Sequence, residues 1–204
     1  MTVERPPLSW GFWLRWVLAT TAGFALGFVP IASLGYAFPI LFAPAYALMG
    51  LMVGILQWLV LRRRVPAASK WILATIAGFV LGGAFGFIVI LVASSVDLYS
   101  SLYEPLSSFA FALVLLAPLG PVVGAAQWLV LRGKVLRSRW WVLASTLSLA
   151  LFATVVGAGL ATDVDNAPGG LWAIGTLGGI GVGVVSGSAL VWLLTRPEAY
   201  ESQG

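Results

Sequence analysis

The sequence predicts an all-α integral membrane protein, a six-helix bundle made of three tandem transmembrane helical hairpins with pseudo-three-fold repetition. Three observations lead there. The 204 residues are 60% hydrophobic and only 9% charged, whereas an ordinary soluble domain carries roughly 25% charged residues. Charges this sparse cannot coat a water-facing surface, so lipid must face the rest. Several apolar segments also reach the ~20 residues that a helix needs to cross the hydrocarbon core, where exposed backbone groups find no water to bond. Finally, a six-span arrangement collects every lysine and arginine on one side.

The first span, 14–34, follows Glu4, Arg5 and a cluster of Trp10, Trp13 and Trp16. It is too long for the core of a signal peptide and reads as an uncleaved anchor. Gly35 and Pro39 mark an outer turn before the second span, 41–61. A basic linker leads to the third, 71–94, and an outer turn from Asp97 to Pro105 leads to the fourth, 106–131. Pro118 and Pro121 sit near the middle of that span. Each lacks a backbone donor, so a kink is expected there. A second basic linker precedes the fifth span, 141–161, and Asp163, Asn166, Pro168 and Gly170 form the turn into the sixth, 171–194. No loop has room for another domain, so 1–204 reads as one membrane domain.

Internal repetition organises these spans. Gln57-Trp58-Leu59-Val60-Leu61-Arg62 recurs unchanged as Gln127-Trp128-Leu129-Val130-Leu131-Arg132. Trp71-Ile72-Leu73-Ala74-Thr75 matches Trp141-Val142-Leu143-Ala144-Ser145, and upstream Trp16-Val17-Leu18-Ala19-Thr20. A weaker last copy of the first block, Val191-Trp192-Leu193-Leu194-Thr195-Arg196, has lost the glutamine. The units run approximately 16–62, 71–132 and 141–196. Apolar identities arise easily by chance, so the coincident Trp, Gln and Arg positions carry this inference.

Charge sets the orientation. Arg5, Arg15, Arg62, Arg63, Arg64, Lys70, Arg132, Lys134, Arg137, Arg139 and Arg196 fall on one side; Asp97, Glu104, Asp163 and Asp165 fall on the other. Lysine and arginine beside span ends are retained in the cytoplasm, so both termini and both basic linkers are expected inside. The net charge of +4 is topogenic, and no nucleic-acid partner is expected. Arg62, Arg63, Arg64, Arg132, Lys134, Arg137 and Arg139 could also hold anionic lipid, each contributing ~1 kcal/mol near the surface.

Candidate functional positions are few. Cysteine and histidine are absent, which removes thiol nucleophiles, disulfides and imidazole ligands. No ionisable side chain lies in the middle third of any span, and such groups usually mark ion or proton pathways. Catalysis and metal binding are therefore not expected. Nine of the ten tryptophans sit at the basic end of a span, Trp172 being the exception, while Tyr36, Tyr46, Tyr99 and Tyr103 lie towards the outer face. An interfacial aromatic belt accounts for this distribution; a stacking surface for a flat pigment or quinone is the sharper alternative. Gln57 and Gln127, one turn inside the basic end, would ordinarily bond across to a neighbouring helix. With Trp58 and Trp128 they are also the weak candidates for holding a cofactor, their carbonyl oxygens being able to ligate a metal or a chlorophyll magnesium.

Small residues spaced by four give the clearest packing signal: Gly23/Gly27, Gly50/Gly54, Gly78/Gly82/Gly86, Gly120/Gly124, and Gly175, Gly179, Gly183 and Gly187 in the last span. Helix backbones approach closely along such faces and gain dispersion contacts that lipid cannot match. Internal packing explains most of them. The four-glycine face of the last span could instead seat another protein's helix.

The Gln-Trp-Leu-Val-Leu-Arg block, basic linker and Trp-Ile-Leu-Ala sequence resemble small multi-pass membrane proteins of cyanobacteria and Chloroflexi-like bacteria, a group with no assigned activity. The likeness covers 54–82 and 124–144, less than half of the chain. It implies a bacterial cytoplasmic or photosynthetic membrane. Three hairpins in one direction also resemble mitochondrial carriers, but the Pro-x-Asp/Glu-x-x-Lys/Arg signature of that family is missing. The expectation is thus a non-catalytic accessory or scaffold subunit in lipid. It would pack against another integral membrane protein and could hold lipid or pigment. A channel for a small neutral solute, lined by residues such as Thr75, Ser145, Ser186 and Gln57, is the alternative.

Overall fold

Six helices of the computed structural model are long and apolar enough to cross a bilayer. The structure describes residues 10–35, 41–66, 68–95 and 107–195, and these contain helices and turns but no strand. α1 (Trp10–Pro30) runs into a π-helical turn, Ile31–Gly35. α2 (Phe42–Leu61) and α3 (Lys70–Ser95) follow. The fourth span is divided into α4 (Ser107–Leu116) and α5 (Leu119–Leu131). α6 (Trp140–Ala161), a short 3-10 turn at Val164–Asn166 and α7 (Gly170–Thr195) are the last of the described elements. Arg5, Arg196, Asp97, Glu104, Tyr36, Pro39, Tyr99 and Tyr103 lie outside the described residues.

The helices begin and end where the apolar runs do, because lipid leaves a spanning backbone no alternative to its own ladder. α1 starts earlier than expected, taking Trp10 to Trp13 into the helix. The break in the fourth span falls at Ala117 and Pro118, beside the two prolines whose missing donors weaken the ladder.

Each span touches its neighbours in sequence, and α7 packs against α1 as its most extensive contact. The six spans therefore close a ring. Glycines set the spacing within it. A side-chain carbon on Gly50 would come 2.7 Å from Ile76 Cα, on Gly120 2.6 Å from Thr146 Cα, and on Gly179 2.9 Å from Thr21 Cα. Real carbons cannot approach that closely, so α2–α3, α5–α6 and α7–α1 are held together by backbone-on-backbone contact.

Two neighbouring contacts show how one helix compensates another. Gly27 seats Met49 and Gly82 seats Leu119; at α6–α7 the sizes are exchanged, with Phe152 on α6 seated on Gly178. Large-on-small is kept while the large side chain changes helix, which preserves packed volume.

The linkers 62–69 and 132–139 share backbone hydrogen bonds: Val65 and Val135 donate to Leu61 and Leu131, and Trp71 and Trp141 donate to Ala68 and Ser138. Lys134 Nζ donates to the Pro66 carbonyl at 2.9 Å, so the two basic linkers lie side by side at one end of the ring.

Candidate functional site

The interior is two apolar clusters separated by a polar layer. At the linker end, Trp16, Trp71 and Trp141 are almost completely buried, at 0%, 0% and 1% exposure. Their ring centroids are 6.1, 6.0 and 5.5 Å apart, in edge-on and tilted contacts that suit the ring quadrupoles. Towards the other end Phe24 meets Phe79 at 6.1 Å and Phe152 at 4.8 Å. Each leading tryptophan is held where it is because the glycines on the facing helix let the two backbones close.

Between these clusters lie Thr20, Gln57, Thr75, Gln127, Ser145, Ser148 and Ser186, all buried. An indole N–H buried in apolar surroundings needs an acceptor, and each tryptophan has one. Trp141 Nε1 donates to Gln127 Oε1 at 3.0 Å, and Trp71 Nε1 donates to Gln57 Oε1 at 2.9 Å. The amide nitrogens then pass the chain on: Gln127 Nε2 donates to Thr75 Oγ1 at 2.9 Å and Gln57 Nε2 to Thr20 Oγ1 at 3.2 Å. Thr75 Oγ1 donates in turn to the Trp71 carbonyl at 2.7 Å. Trp16 Nε1 turns instead to Ser186 Oγ at 3.0 Å. Side-chain bonds of this polar layer thus run α6–α5–α3–α2–α1–α7, touching all six spans and leaving, among the described residues, a gap between α7 and α6.

Several expectations change here. Trp16, Trp71 and Trp141 are not belt residues: they form the core, while Trp10, Trp140, Trp172 and Trp192 remain exposed. Val191 does not stand in for the lost glutamine. Ser186 accepts the indole, because Gly179, Gly183 and Ser186 face α1 as Gly50, Gly54 and Gln57 face α3. The spacing of Gln57 and Gln127 from the two glycines before them was the signal that could have set this register.

The other expected positions are placed as follows. Gln57 and Gln127 use both ends of their amides on neighbouring helices. Trp58 and Trp128 are half-buried beneath the Arg62 and Arg132 guanidiniums, 5.6 and 5.7 Å from their ring centroids, a cation–π geometry. Gly175, Gly179, Gly183 and Gly187 lie against Ala25, Thr21, Val17 and Trp16. The groove expected for an outside helix is therefore filled by α1 of the same chain. Gly50, Gly54, Gly120 and Gly124 are likewise used within the bundle. Arg62, Arg63, Arg132, Arg137 and Arg139 are exposed, while Arg64 and Lys134 are partly covered.

A small cavity opens beneath the tryptophans, about 20 Å³, lined by Gln57, Gln127, Ser145, Ser148 and Ser186 with apolar neighbours. Among the described residues no group of three carboxylates comes together as a metal site would need. No family model matches this chain, and neither the curated proteins nor the solved structures searched contain a match to it.

Proposed function

We propose that this chain is a non-catalytic scaffold subunit of a bacterial cytoplasmic or photosynthetic membrane, built as three hairpins about a pseudo-three-fold axis, with both termini in the cytoplasm. In this reading it packs by an outer face against another integral membrane protein, with lipid or pigment between them. The observation that carries it is the filled axis: tryptophan and phenylalanine layers close both sides of a polar layer whose amides are already engaged. Such an interior supports rigidity. With the glycine faces used internally, the partner's place falls to the lipid-facing surface, where α3 offers Leu73, Leu81, Phe85, Ile88 and Val92, all more than half exposed. The basic linkers suit anionic headgroups on the cytoplasmic side.

Purification from native membranes in mild detergent tests this reading. A stoichiometric membrane-protein partner, crosslinked from a photoreactive residue at Leu81, is expected. A monodisperse, partner-free chain would reject it.

A facilitator for a small neutral solute is the second reading, favoured by the polar layer of Thr75, Ser145, Ser186 and Gln57. It requires a path past Trp16, Trp71 and Trp141, and their mutual contact argues against one. Solute-driven swelling of proteoliposomes faster than in empty vesicles would revive it.

A further inference from the structure

The hydrogen-bond chain through the six spans has one gap, and three independent features meet there. Ser186 stands where the equivalent contacts of α2 and α5 have glutamine, and beyond its own helix its short side chain bonds Trp16 but not α6. Across from it Ser145, 3% exposed, has an Oγ with no partner among the described residues. Its counterparts Thr20 and Thr75 each receive a glutamine amide. The cavity of about 20 Å³ touches both serines, and a single water needs roughly 10–15 Å³.

We propose that this cavity is a binding site for one ordered water molecule that takes the place of the missing amide and closes the hydrogen-bond circuit between α7 and α6. The groups around it select a neutral donor–acceptor. Ser186 and Ser148 spend their hydroxyl protons on the Val182 and Ala144 carbonyls, both at 2.6 Å, so they offer the site lone pairs. Ser145 has a proton to give. Water accepts that proton in a hydrogen bond and donates its own two to the waiting oxygens. A cation could use the lone pairs, but no carboxylate lines the cavity to offset its desolvation. The site is structural, and it makes the α6–α7 contact the hydrated one.

The test uses the full chain in nanodiscs. Water-selective NMR should give cross-peaks from a long-lived water to the Ser145 and Ser186 side-chain protons. Ser186→Gln should abolish them and raise the melting temperature by roughly 2–4 °C, the size one modest added contact gives a chain this long. Ser145→Ala supplies a second, independent readout. A hydroxyl bonded to water loses a partner when removed, so melting falls. A hydroxyl buried dry is relieved when removed, so melting rises. Absence of the cross-peaks, or a rise for Ser145→Ala, overturns the proposal.

Discussion

Gln127 shows how much one side chain can hold. Its amide accepts from Trp141 and donates to Thr75, joining three spans. Gln127→Leu leaves the buried indole without an acceptor and is expected to cost about 1–3 kcal/mol, measured by reversible unfolding in mixed micelles. Adding Trp141→Phe to that variant removes the stranded donor and should return part of the loss, whereas an additive result would show that the bond contributes little. Gly120→Ala is expected to destabilise by a similar amount, about 1–3 kcal/mol, because its new carbon meets the Thr146 backbone and not a side chain that can move aside.

The roles of these residues were only half legible in advance. Coincident Trp, Gln and Arg positions were visible as a repeat, and interhelical bonding of the glutamines followed from their depth. That Trp16, Trp71 and Trp141 turn inward was not visible. A belt tryptophan and a core tryptophan occupy the same depth, and only rotation about the helix axis separates them. Thr20, Thr75 and Ser145, each four residues after its tryptophan, were the clue to that rotation, since they place a hydroxyl on the same face.

At the scale of elements, the α6–α7 contact departs from its relatives in a compensated way. Phe152→Gly alone leaves a hole between the two helices, and Gly178→Leu alone drives a side chain into the Phe152 ring. Each single variant is expected to lose stability. The double variant reproduces the Gly82–Leu119 arrangement and should recover most of it, with a favourable coupling of about 1–3 kcal/mol. Additive losses in the same unfolding assay would mean that the exchange is not compensatory. Helix bounds were largely readable, as α2, α6 and α7 match the expected spans to within a residue at each end. Lipid enforces an abrupt change of composition at a span's end. The register of the last unit was not readable, because Trp192 and Arg196 imitate the closing block while the glycines keep a different alignment.

For the whole molecule, the adjacency of the basic linkers has a direct consequence. Natural cysteine is absent, so single cysteines introduced at Arg63, Arg137 and Asn166 report without background. With the basic ends inside, Arg63→Cys and Arg137→Cys should resist a membrane-impermeant maleimide in intact cells and react in inverted vesicles, and Asn166→Cys should do the reverse. Labelling of the first two from opposite faces would contradict both the charge argument and the Lys134–Pro66 contact.

The closing contact also imposes an order on biogenesis, since it joins α1 to a helix translated well after it. Until α7 leaves the ribosome, the flank of α1 bearing Val17, Thr21 and Ala25 has only acyl chains against it, and the Trp16 indole lacks Ser186. The α1–α7 side of the ring therefore closes late. A chain halted after α6 would leave that flank of α1 and the Trp16 indole without their partners on α7.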